Sequence, residues 1–391
     1  MNLSNHIKTC YMVGFELEKK HLEIIEKYRD FTKRWIIPQR MKWDEISEFP
    51  WEIVKAAYDE KIINGSLPVE YGGNGFSIFE SSLASEELGY GCTGIGICID
   101  ASTLALTPTF LAATDEQKKK IYGQMIEKKA VAAYALTEPN AGSDVQGIKS
   151  TAIKKGDKYI LNGHKRFITN AEVAEFITVF AMTDPERGSR SLSAFIIPAD
   201  LPGIEILPRL QKMGQRASVQ NEIKFTDVEM PLDALLGQEG HGFIIAMKTF
   251  DRTRTGVAAA ALGNARAAFD HSREWAKNRI QFGKPIAAQQ VIAFMLADMA
   301  TEIEAAKMLV WRAAWAYDTG QRDFSKLSAM AKYYATDMAM KVTADAVQVM
   351  GGEGYSKDHP VEKMMRDAKL SMIYEGTNQV NRLVVSKSIL K

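Results

Sequence analysis

The sequence predicts an α+β protein whose chain runs through helices, then strands, then long helices. Up to about Lys129 the apolar residues recur at helical spacing, the following segments are short and β-rich, and helical spacing returns from Phe243. The β-region is expected to be barrel-like or sandwich-like, and the last region a four-helix bundle. We predict an N-terminal all-helical domain, a middle β-domain and a C-terminal bundle domain over residues 1–130, 131–236 and 237–391.

The composition excludes several classes of protein. The chain has 391 residues, of which 46% are hydrophobic and 25% charged, as in ordinary globular proteins. Its 49 basic and 48 acidic residues give a net charge of +1, which argues against a nucleic-acid surface. The cysteines Cys10, Cys92 and Cys98 form neither a disulfide framework nor a metal-binding pattern, so a reducing, cytoplasmic location is expected and no metal site.

Two apolar or terminal segments bear on membranes and targeting. Met1–Lys20 has neither the hydrophobic region of a signal peptide nor the Arg-rich character of a transit peptide. Thr93–Ala113 is almost wholly apolar, and we read it as too short to span a bilayer and therefore as a helix buried inside the protein. No membrane insertion is expected.

The other N-terminal helices follow from apolar spacing and from residues that start and stop helices. Pro38 is expected to end the first helix, and Thr114 with Gln117 forms a capping-box pattern at the start of the last. Leu67–Gly75 has the composition of a loop. The remaining helices are predicted over Phe15 to about Arg40, Trp51–Glu60 and Phe79–Gly89.

Short runs of β-forming residues, separated by turn chemistry, predict the strands of the middle domain. These runs are Ala132–Thr137, Tyr159–Gly163, Phe176–Thr183, Leu192–Ala199 and Ile223–Val228. After them, Val257–Leu262 is typical of a helix at the centre of a bundle. Apolar faces running from Ile292 to Ala306 and from Leu327 to Val349 predict two more long helices, and Gly351-Gly352 is expected to stop the second.

Met372–Arg382 is the stretch on which the functional hypothesis rests. Glu375 follows Ile373 and Tyr374 and precedes Gly376, at a turn between two helical patterns. Apolar neighbours withhold water from a carboxylate and raise its pKa, as a general base near neutral pH requires. Glycine leaves its backbone N–H free for close approach to a ligand. On the motif alone, a solvated or N-capping glutamate is the alternative.

Two further stretches have the chemistry of a ligand site. In Tyr134–Asp144, proline and glycine hold a polar loop open, so backbone N–H groups and hydroxyls can face a ligand; a plain turn is the alternative. In Asn162–Asn170 we predict a hairpin turn followed by Phe167 and Thr169, two residues apart and hence on one strand face. That geometry suits stacking on a planar heterocycle, and ordinary strand alternation is the alternative.

Together these motifs resemble those of the acyl-CoA dehydrogenases, a family of flavoproteins. The resemblance runs from about Glu18 to the end of the chain. Early segments such as EELGYGCTG (Glu86–Gly94) resemble the medium-chain and short-chain branches most. The motifs stand in family order as YALTEPNAGSD, KRFITN, MGQR (Met213–Arg216), FDRTR (Phe250–Arg254), NRIQFGK (Asn278–Lys284), QVMGGEGY (Gln348–Tyr355) and IYEGTNQ.

The resemblance implies which groups take the proton, hold the thioester carbonyl and accept the hydride. Glu375 would remove a C2 proton from an acyl-CoA thioester while a hydride passes from C3 to flavin N5. The backbone N–H of Glu375 and a flavin ribityl hydroxyl would hold the thioester carbonyl, and the flavin supplies the hydride chemistry. Tyr374, Gly376 and Ser143 would contact the substrate. The residues implied to line the FAD within this chain are Tyr134, Leu136, Thr137, Gly142, Ser143, Phe167, Ile168, Thr169, Thr377 and Gln379.

A second group of residues would reach FAD across a subunit boundary, as the resemblance implies for a homotetramer. They are Arg279, Gln281, Phe282, Gln289, Gln348 and Gly352. For Arg279 the alternative is a cation at the end of a surface helix, although pyrophosphate binding suits an arginine better. Asp251 and Arg254 match CoA-side contacts, and an Asp251–Arg254 salt bridge is an equal alternative.

Two positions depart from the common family pattern. Phe167 stands where the family often has tryptophan, which keeps stacking but changes the electronics or width of the pocket. Asp100 lies in the apolar helix, at a position that in the medium-chain branch ends the acyl cavity. An unpartnered buried carboxylate is costly, so hydrogen bonds to Ser102, Thr103 or the backbone are one interpretation. The other is an acyl-pocket residue or second base.

The sequence therefore predicts a cytoplasmic, FAD-dependent acyl-CoA dehydrogenase that passes electrons to electron-transfer flavoprotein. Its substrate is expected to be a short, medium or alicyclic acyl-CoA. With Asp100 as second base, the reaction would be 1,4-dehydrogenation of cyclohex-1-ene-1-carboxyl-CoA. The remaining alternatives are an acyl-CoA oxidase, which lets oxygen reach the reduced flavin, and a non-catalytic CoA-binding member of the fold.

Overall fold

The structure is a computed structural model that describes residues 16–390. Cys10 and most of the Met1–Lys20 segment lie outside the described residues. The α-helices of the described chain are α1 (Lys19–Phe31), α2 (Arg40–Ile46), α3 (Trp51–Asp59), α4 (Ile78–Gly91), α5 (Thr93–Ala112), α6 (Asp115–Glu127), α7 (Gly242–Asn278), α8 (Gln290–Asp318), α9 (Phe324–Met350), α10 (Gly352–Tyr355), α11 (Val361–Ser371) and α12 (Asn378–Ile389).

The strands lie between α6 and α7, apart from one small hairpin. They are β1 (Val131–Ala135), β2 (Thr151–Lys155), β3 (Lys158–Thr169), β4 (Ala174–Met182), β5 (Leu192–Pro198), β6 (Ile204–Ile206), β7 (Gln220–Pro231), β8 (Leu235–Leu236), and the hairpin strands β9 (Ile280–Gln281) and β10 (Lys284–Pro285). The predicted α+β class and the order of helices, strands and long helices are confirmed.

The main sheet has eight strands and branches at β4. Its order is β6-β7-β3-β2-β4-β5-β8, and β1 pairs in parallel with the first part of β4. The end of β4 meets β2 through the pair Thr151 and Met182, while its other edge pairs with β5 antiparallel. Because β1 enters the sheet directly after α6, the loop that follows β1 lies where the sheet meets the helices.

The predicted helix starts agree with the capping chemistry. At α4 the Ser77 hydroxyl accepts a hydrogen bond from the Glu80 backbone N–H, and the Glu80 carboxylate accepts one from the Ser77 N–H. Thr114 and Gln117 form the same capping box at α6, as predicted. At α12 the Thr377 hydroxyl accepts from the Val380 N–H. This last cap fixes where the chain leaves the Glu375 turn.

The expectation that Pro38 ends the first helix is wrong. The chain continues from α1 through a π-turn at Thr32–Ile36 and a 3₁₀ turn at Ile37–Gln39 into α2. Pro38 occupies one of the first positions of the 3₁₀ turn. Proline has no backbone N–H, but the N–H groups of the first residues of a helical turn have no partner within the turn. The fixed φ of proline also suits such a turn.

The predicted hairpin turn at Asn162-Gly163 is also wrong, because both residues lie inside the long strand β3. A register shift occurs there between Leu161 and Gly163 in the pairing with β7. A Cβ added at Gly163 would lie 2.9 Å from the Ser150 Cα, so the glycine marks close approach of β3 to the backbone just before β2. Strands β2, β6, β8, β9 and β10 were not predicted, being short or weakly patterned.

The prediction that the apolar segment now seen as helix α5 is too short to span a membrane is wrong. By length and composition this helix could cross a bilayer, contrary to the expectation that no apolar run is long enough. In the structure it packs in the interior against α7, α4 and β1. Its buried residues include Ile95, Cys98 and Ile99. Helix α5 therefore forms part of the core, as the sequence predicted.

Helix α7 packs closely against α4 through small residues. A Cβ at Gly263 would lie 1.9 Å from the Glu86 carbonyl oxygen, and one at Gly89 would lie 2.2 Å from that of Ala260. The centre of the bundle is built from alanines of α7, α8 and α9. The sheet meets the helices next to the predicted domain limits, and the division into three domains stays a prediction. This packing leaves a cavity between α4, α5 and α7.

Candidate active site

A cavity of about 920 Å³ runs along α4, α5 and α7 to the loop after β1, the end of β3 and the turn before α12. Its wall contains most of the residues that the sequence analysis selected within one chain. These are Asp100, Tyr134, Leu136, Thr137, Gly142, Ser143, Phe167, Ile168, Thr169, Arg254, Tyr374, Glu375, Gly376 and Thr377. Residues more than two hundred positions apart in sequence thus share one wall.

Glu375 lies at a left-handed turn between α11 and α12. Its φ is 51° and that of Gly376 is 87°, so two successive residues adopt a conformation that costs an ordinary side chain about 1 kcal/mol or more. The Asn378 N–H closes the turn on the Met372 carbonyl at 3.0 Å. The glycine at 376 is required because an L side chain is strained at that φ. The predicted turn is therefore a place where the backbone is strained.

The cavity raises the pKa of Glu375 to about 7, chiefly because the carboxylate loses hydration there. The Thr253 hydroxyl donates to Glu375 Oε2 at 2.6 Å and opposes this rise. The positive charges of Arg254 and Lys332 also lower the pKa, whereas the negative charge of Asp100 raises it. A carboxyl group with a pKa near 7 is suited to act as a general base at neutral pH.

Arg254 is buried and lies directly beside the turn. Its guanidinium Nη1 donates to the Asp251 carboxylate at 2.6 Å, and its Nη2 lies 3.8 Å from the position a Cβ would take at Gly376. Both interpretations of this arginine thus have support, since it forms the salt bridge and also lines the cavity. Asp251 lies behind it and is not part of the cavity wall among the described residues.

A buried ion pair supports the loop after β1. The Lys165 ammonium is fully buried and donates to Glu138 Oε1 at 2.9 Å and to the Leu136 carbonyl at 3.0 Å. Glu138 also accepts from the Ser150 hydroxyl and from two backbone N–H groups. Burial lowers the pKa of Lys165 to about 8. Losing either partner would leave an uncompensated charge, so this pair fixes the cavity wall at Leu136 and Thr137.

Phe167 and Thr169 both line the cavity, but not through regular strand alternation. Phe167 has a φ of 60°, and the pairing of β3 with β7 shifts between Lys165 and Ile168. This bulge presents the Phe167 ring with 55% of its surface exposed. The Thr169 hydroxyl accepts from the Gln220 amide at 3.1 Å. The predicted pairing of an aromatic ring with a hydroxyl is present, and a bulge rather than strand periodicity produces it.

Asp100 lies on the cavity wall and has hydrogen-bond partners. Its carboxylate accepts from the Ser85 hydroxyl at 3.1 Å and from the Thr103 hydroxyl at 3.0 Å. The Ser102 hydroxyl is not one of these partners; its oxygen accepts a hydrogen bond from the Ala132 backbone N–H at 3.0 Å. Burial raises the pKa of Asp100, and the two hydroxyls oppose this. The cavity therefore contains two carboxylates of raised pKa, Glu375 and Asp100.

The residues expected to reach FAD across a subunit boundary do not line this cavity. Arg279 caps α7 with its guanidinium over the Trp275 ring at 5.8 Å, and Phe282 projects from the β9–β10 hairpin with 92% exposure. Gln289 precedes α8. In the described chain, the predicted FAD-binding residues that lie outside the cavity wall are Arg279, Gln281, Phe282, Gln289, Gln348, Gly352 and Gln379.

Thr253 was not among the predicted site residues, although it lies inside the FDRTR motif. Its hydroxyl oxygen also lies 3.1 Å from the Thr249 carbonyl oxygen one turn earlier, the partner that threonines in helices commonly use, and the shorter contact to Glu375 takes its single proton. Nothing in the local sequence distinguishes it from such a threonine. Its contact with Glu375 joins residues 122 positions apart and follows only from the packing of α7 against the turn.

Family models match the chain in three consecutive segments. They are acyl-CoA dehydrogenase, N-terminal domain, over residues 18–129, the middle domain over 133–228, and the C-terminal domain over 240–390. The chain belongs to the acyl-CoA dehydrogenase family. It is accordingly an oxidoreductase and an FAD flavoprotein, and its substrate is an acyl-CoA.

Individual relatives cover nearly the whole chain. The cyclohex-1-ene-1-carbonyl-CoA dehydrogenase of Syntrophus aciditrophicus is 40% identical over 96% of this chain and 91% of its own length. Butyryl-CoA dehydrogenase from Megasphaera elsdenii has a structure with a TM-score of 0.93 and 39% identity, covering 97% of this chain and all of its own.

A third relative comes from a structure described as the electron transferring flavoprotein of Acidaminococcus fermentans. The matching chain has a TM-score of 0.94 and 42% identity, and the match covers 97% of this chain and 100% of that one. The comparisons confirm the resemblance that the motifs predicted.

The cavity fits the flavin that the family requires. The Tyr134 hydroxyl is buried and has no hydrogen-bond partner among the described residues, so a polar atom is missing from its surroundings. No atom lies within 4 Å of the position a Cβ would take at Gly142, which leaves open space beside the loop. The exposed face of Phe167 is available for stacking. An aromatic face, hydroxyls and an open backbone loop suit a planar heterocycle.

Replacing Thr253 by valine should raise the pKa of Glu375 by about one unit, because the lost hydrogen bond stabilises the charged form. Proton removal from a bound acyl-CoA would then need a higher pH, so the acid limb of the rate profile should move upward. Anaerobic stopped-flow reduction of the flavin, followed against pH, measures this.

Thr249→Val is the matched control, because the Thr249 hydroxyl donates to the Ile245 carbonyl within the same helix. Its profile should coincide with that of the wild type. An unchanged profile for Thr253→Val would show that the hydrogen bond does not set the pKa of Glu375.

Proposed function

We propose that Glu375 is the base that removes the C2 proton of an acyl-CoA substrate. The observation that carries this proposal is a carboxylate with a pKa of about 7 on the wall of the cavity, at a strained left-handed turn. Strain of this kind is retained where function requires it. The alternative of a solvated glutamate does not agree with its position, and the N-cap of α12 is Thr377 instead.

The residues around Glu375 prepare a substrate for proton removal. The Thr253 hydroxyl fixes one carboxylate oxygen, leaving the other to accept the proton. The backbone N–H of Glu375 is proposed to hydrogen-bond the thioester carbonyl, which stabilises the negative charge that develops when the C2 proton leaves. Arg254 lies beside Gly376 with a buried cationic group, and Ser143 and Tyr374 line the same cavity. We propose these as the substrate contacts, with Asp251 holding Arg254.

The residues proposed to hold FAD are those that the family resemblance implies, and most of them line the cavity. The loop after β1 would contact the isoalloxazine with Tyr134, Leu136, Thr137 and Gly142, and Phe167–Thr169 would lie against its face. When bound, FAD accepts the hydride that leaves C3 of the substrate. Thr377 faces the cavity beside Glu375, and Gln379 is exposed on α12. The polypeptide positions both reactants and excludes water.

A second candidate reaction is 1,4-dehydrogenation of a cyclohex-1-ene-1-carbonyl thioester. The observation favouring it is the second carboxylate: Asp100 shares the cavity with Glu375, and its charge affects the pKa of Glu375. The two hydrogens leave from the two ends of the four-carbon unit around the double bond. One leaves as a proton, which a carboxylate accepts, and the other as a hydride. Asp100 would be the base at the ring end that Glu375 does not reach.

Relatives support both substrate types. The Syntrophus protein is named for the cyclic thioester, and the Megasphaera protein for a short straight chain. A carboxylate on the wall disfavours a long apolar chain, because the chain would displace water from a charged group. The Ser85 and Thr103 hydrogen bonds to Asp100 are compatible with a structural role or with a held base.

Anaerobic titration with a panel of acyl-CoAs tests the proposed function. The panel is butyryl-, octanoyl-, glutaryl- and cyclohex-1-ene-1-carbonyl-CoA, and flavin absorbance is followed. Bleaching by butyryl-CoA or by the cyclic thioester is expected, with octanoyl-CoA slower. Protein that lacks yellow colour, or a flavin that no member bleaches, would contradict the proposal.

The variant Asp100→Asn separates the two reactions in the same assay. It preserves size and hydrogen bonding but cannot accept a proton. If Asp100 is the second base, bleaching by the cyclic thioester should fall by roughly 10²-fold or more, while bleaching by butyryl-CoA is little changed. Equal rates for variant and wild type with the cyclic thioester would leave Asp100 a structural residue.

We also propose a homotetramer in which a neighbouring subunit completes the FAD site. The support is the position of Arg279, Gln281, Phe282, Gln289, Gln348 and Gly352 outside the cavity wall of their own chain. Phe282 has 92% of its surface exposed, and Ile280 of the same hairpin and Val291 and Phe294 of α8 are exposed too; several exposed apolar side chains close in sequence favour coverage by another subunit.

Phe282→Asp should dissociate the tetramer and weaken FAD binding together, since the same hairpin serves both. Light scattering measures the mass and flavin absorbance the FAD content. Val69→Asp is the matched control, because Val69 is an exposed apolar residue on the N-terminal loop. A tetramer that persists with full FAD in Phe282→Asp would contradict this arrangement.

Electron-transfer flavoprotein is the proposed acceptor, which the matching chain in the Acidaminococcus structure supports. Reduction of electron-transfer flavoprotein by the substrate-reduced protein would test this, whereas rapid consumption of oxygen would favour an acyl-CoA oxidase.

A cytoplasmic location without membrane insertion is also part of the proposal. The core packing of α5 and the free thiols of Cys92 and Cys98 support it, and cell fractionation would test it.

A further inference from the structure

A lysine lies buried in the bundle directly behind the Glu375 turn. Lys332, in the middle of α9, has no exposed surface. Its ammonium donates to the Gly376 carbonyl at 2.8 Å and to Asn378 Oδ1 at 3.0 Å. A buried lysine is rare because removing its charge from water is costly. The carbonyl that it holds belongs to the residue directly after the proposed base.

We propose that Lys332 is a positioning residue of the active site, whose ammonium anchors the Gly376 carbonyl and the start of α12 to α9 and so aims the Glu375 carboxylate into the cavity. This inference rests on the proposed role of Glu375.

The contacts around Lys332 form a fixed support for the turn. The Asn378 amide donates to the Asp337 carboxylate at 2.7 Å, which orients its oxygen towards Lys332. The Asn381 amide donates to the same Gly376 carbonyl at 2.8 Å. The Gly376 carbonyl thus accepts from two side chains on different helices, one on α9 and one on α12. Two fixed donors hold the peptide after Glu375 in the orientation that its left-handed φ requires.

A neutral hydrogen-bond donor could also hold the Gly376 carbonyl. The positive charge of Lys332 has a second effect, which is on the ionisation of Glu375. The positive charge of Lys332 favours the ionised form of Glu375, and the negative charge of Glu375 favours protonated Lys332. Burial lowers the pKa of Lys332 to about 7. The ammonium therefore both orients the base and keeps its pKa from rising further.

Other charged and titratable groups also act on this pair, and they come from each element packed around it. Arg254 opposes the protonation of Lys332 and favours the ionised form of Glu375, while Asp337 favours protonated Lys332. The groups that interact with Glu375 or Lys332 are Asp100 of α5, Tyr134 of β1, Arg254 of α7, Asp337 of α9 and Tyr374 of the turn. None of these changes in a Lys332 variant, so a measured shift reports Lys332.

The test uses the FAD-loaded full-length protein and acetoacetyl-CoA. The C2 proton of this thioester is activated by two carbonyls, so a base removes it without any hydride transfer, and the enolate is seen by its absorbance. The readout is the pH at which half of the bound ligand is enolate. It reports proton loss from the ligand beside Glu375 and needs no catalytic turnover.

The variants are Lys332→Met, Lys332→Arg and the control Lys341→Met. Lys341 lies on the same helix, and its ammonium pairs with Glu302 at the surface. In Lys332→Met the midpoint should move to higher pH by about one unit, because enolate formation adds a negative charge to the cavity and the cation that stabilises negative charge there is lost. Lys332→Arg should keep the midpoint near that of the wild type but form the enolate several-fold more slowly. Lys341→Met should match the wild type.

Unchanged midpoint and rate in Lys332→Met would overturn the inference. If that variant does not fold, Lys332→Arg decides: slower enolate formation at an unchanged midpoint supports the positioning role, and wild-type behaviour in both readouts overturns it. A wild-type protein that binds FAD and acetoacetyl-CoA but forms no enolate would instead contradict the proposed role of Glu375. The two failures are therefore distinguishable.

Discussion

The proposed active site depends on placing a carboxylate where water is scarce without removing its ability to ionise. Loss of hydration raises the pKa of Glu375, and the Thr253 hydroxyl and the charges of Arg254 and Lys332 limit that rise to about 7. If burial dominated, the group would stay protonated and could not accept a proton. If the cations dominated, it would be too weak a base. The fold sets this balance by bringing α7, α9 and the turn before α12 together.

The rest of the cavity follows from the same arrangement. Small residues let α7 approach α4, which brings Thr253 and Arg254 to the turn and leaves room for an acyl group beside α5. The Lys165–Glu138 pair holds the loop after β1 against the sheet, so the cavity is closed on its other side by hydroxyls and an aromatic ring. The Lys165–Glu138 pair thus supports the loop after β1 on one wall of the cavity, and Lys332 supports the Glu375 turn on the other.

The order of helices and strands was predictable from the sequence because hydrophobic period and capping residues are local signals. The Glu375 turn and the loop after β1 were also predicted, since glycine, proline and apolar neighbours mark them. What failed depended on long-range pairing. A strand can contain Asn162-Gly163 when a close neighbour requires glycine, and the bulge at Phe167 follows from the pairing with β7. Thr253 and Lys332 acquire their roles through contacts with residues far away in sequence, so no local pattern marks them.

The central claim is that Glu375 removes the proton, and one variant tests it most directly. Glu375→Gln keeps the size of the side chain but cannot act as a base. With butyryl-CoA at saturating concentration, anaerobic bleaching should slow by roughly 10²- to 10⁴-fold while FAD remains bound. A variant that bleaches at the wild-type rate would show that another group takes the proton, and the account of the cavity given above would be wrong.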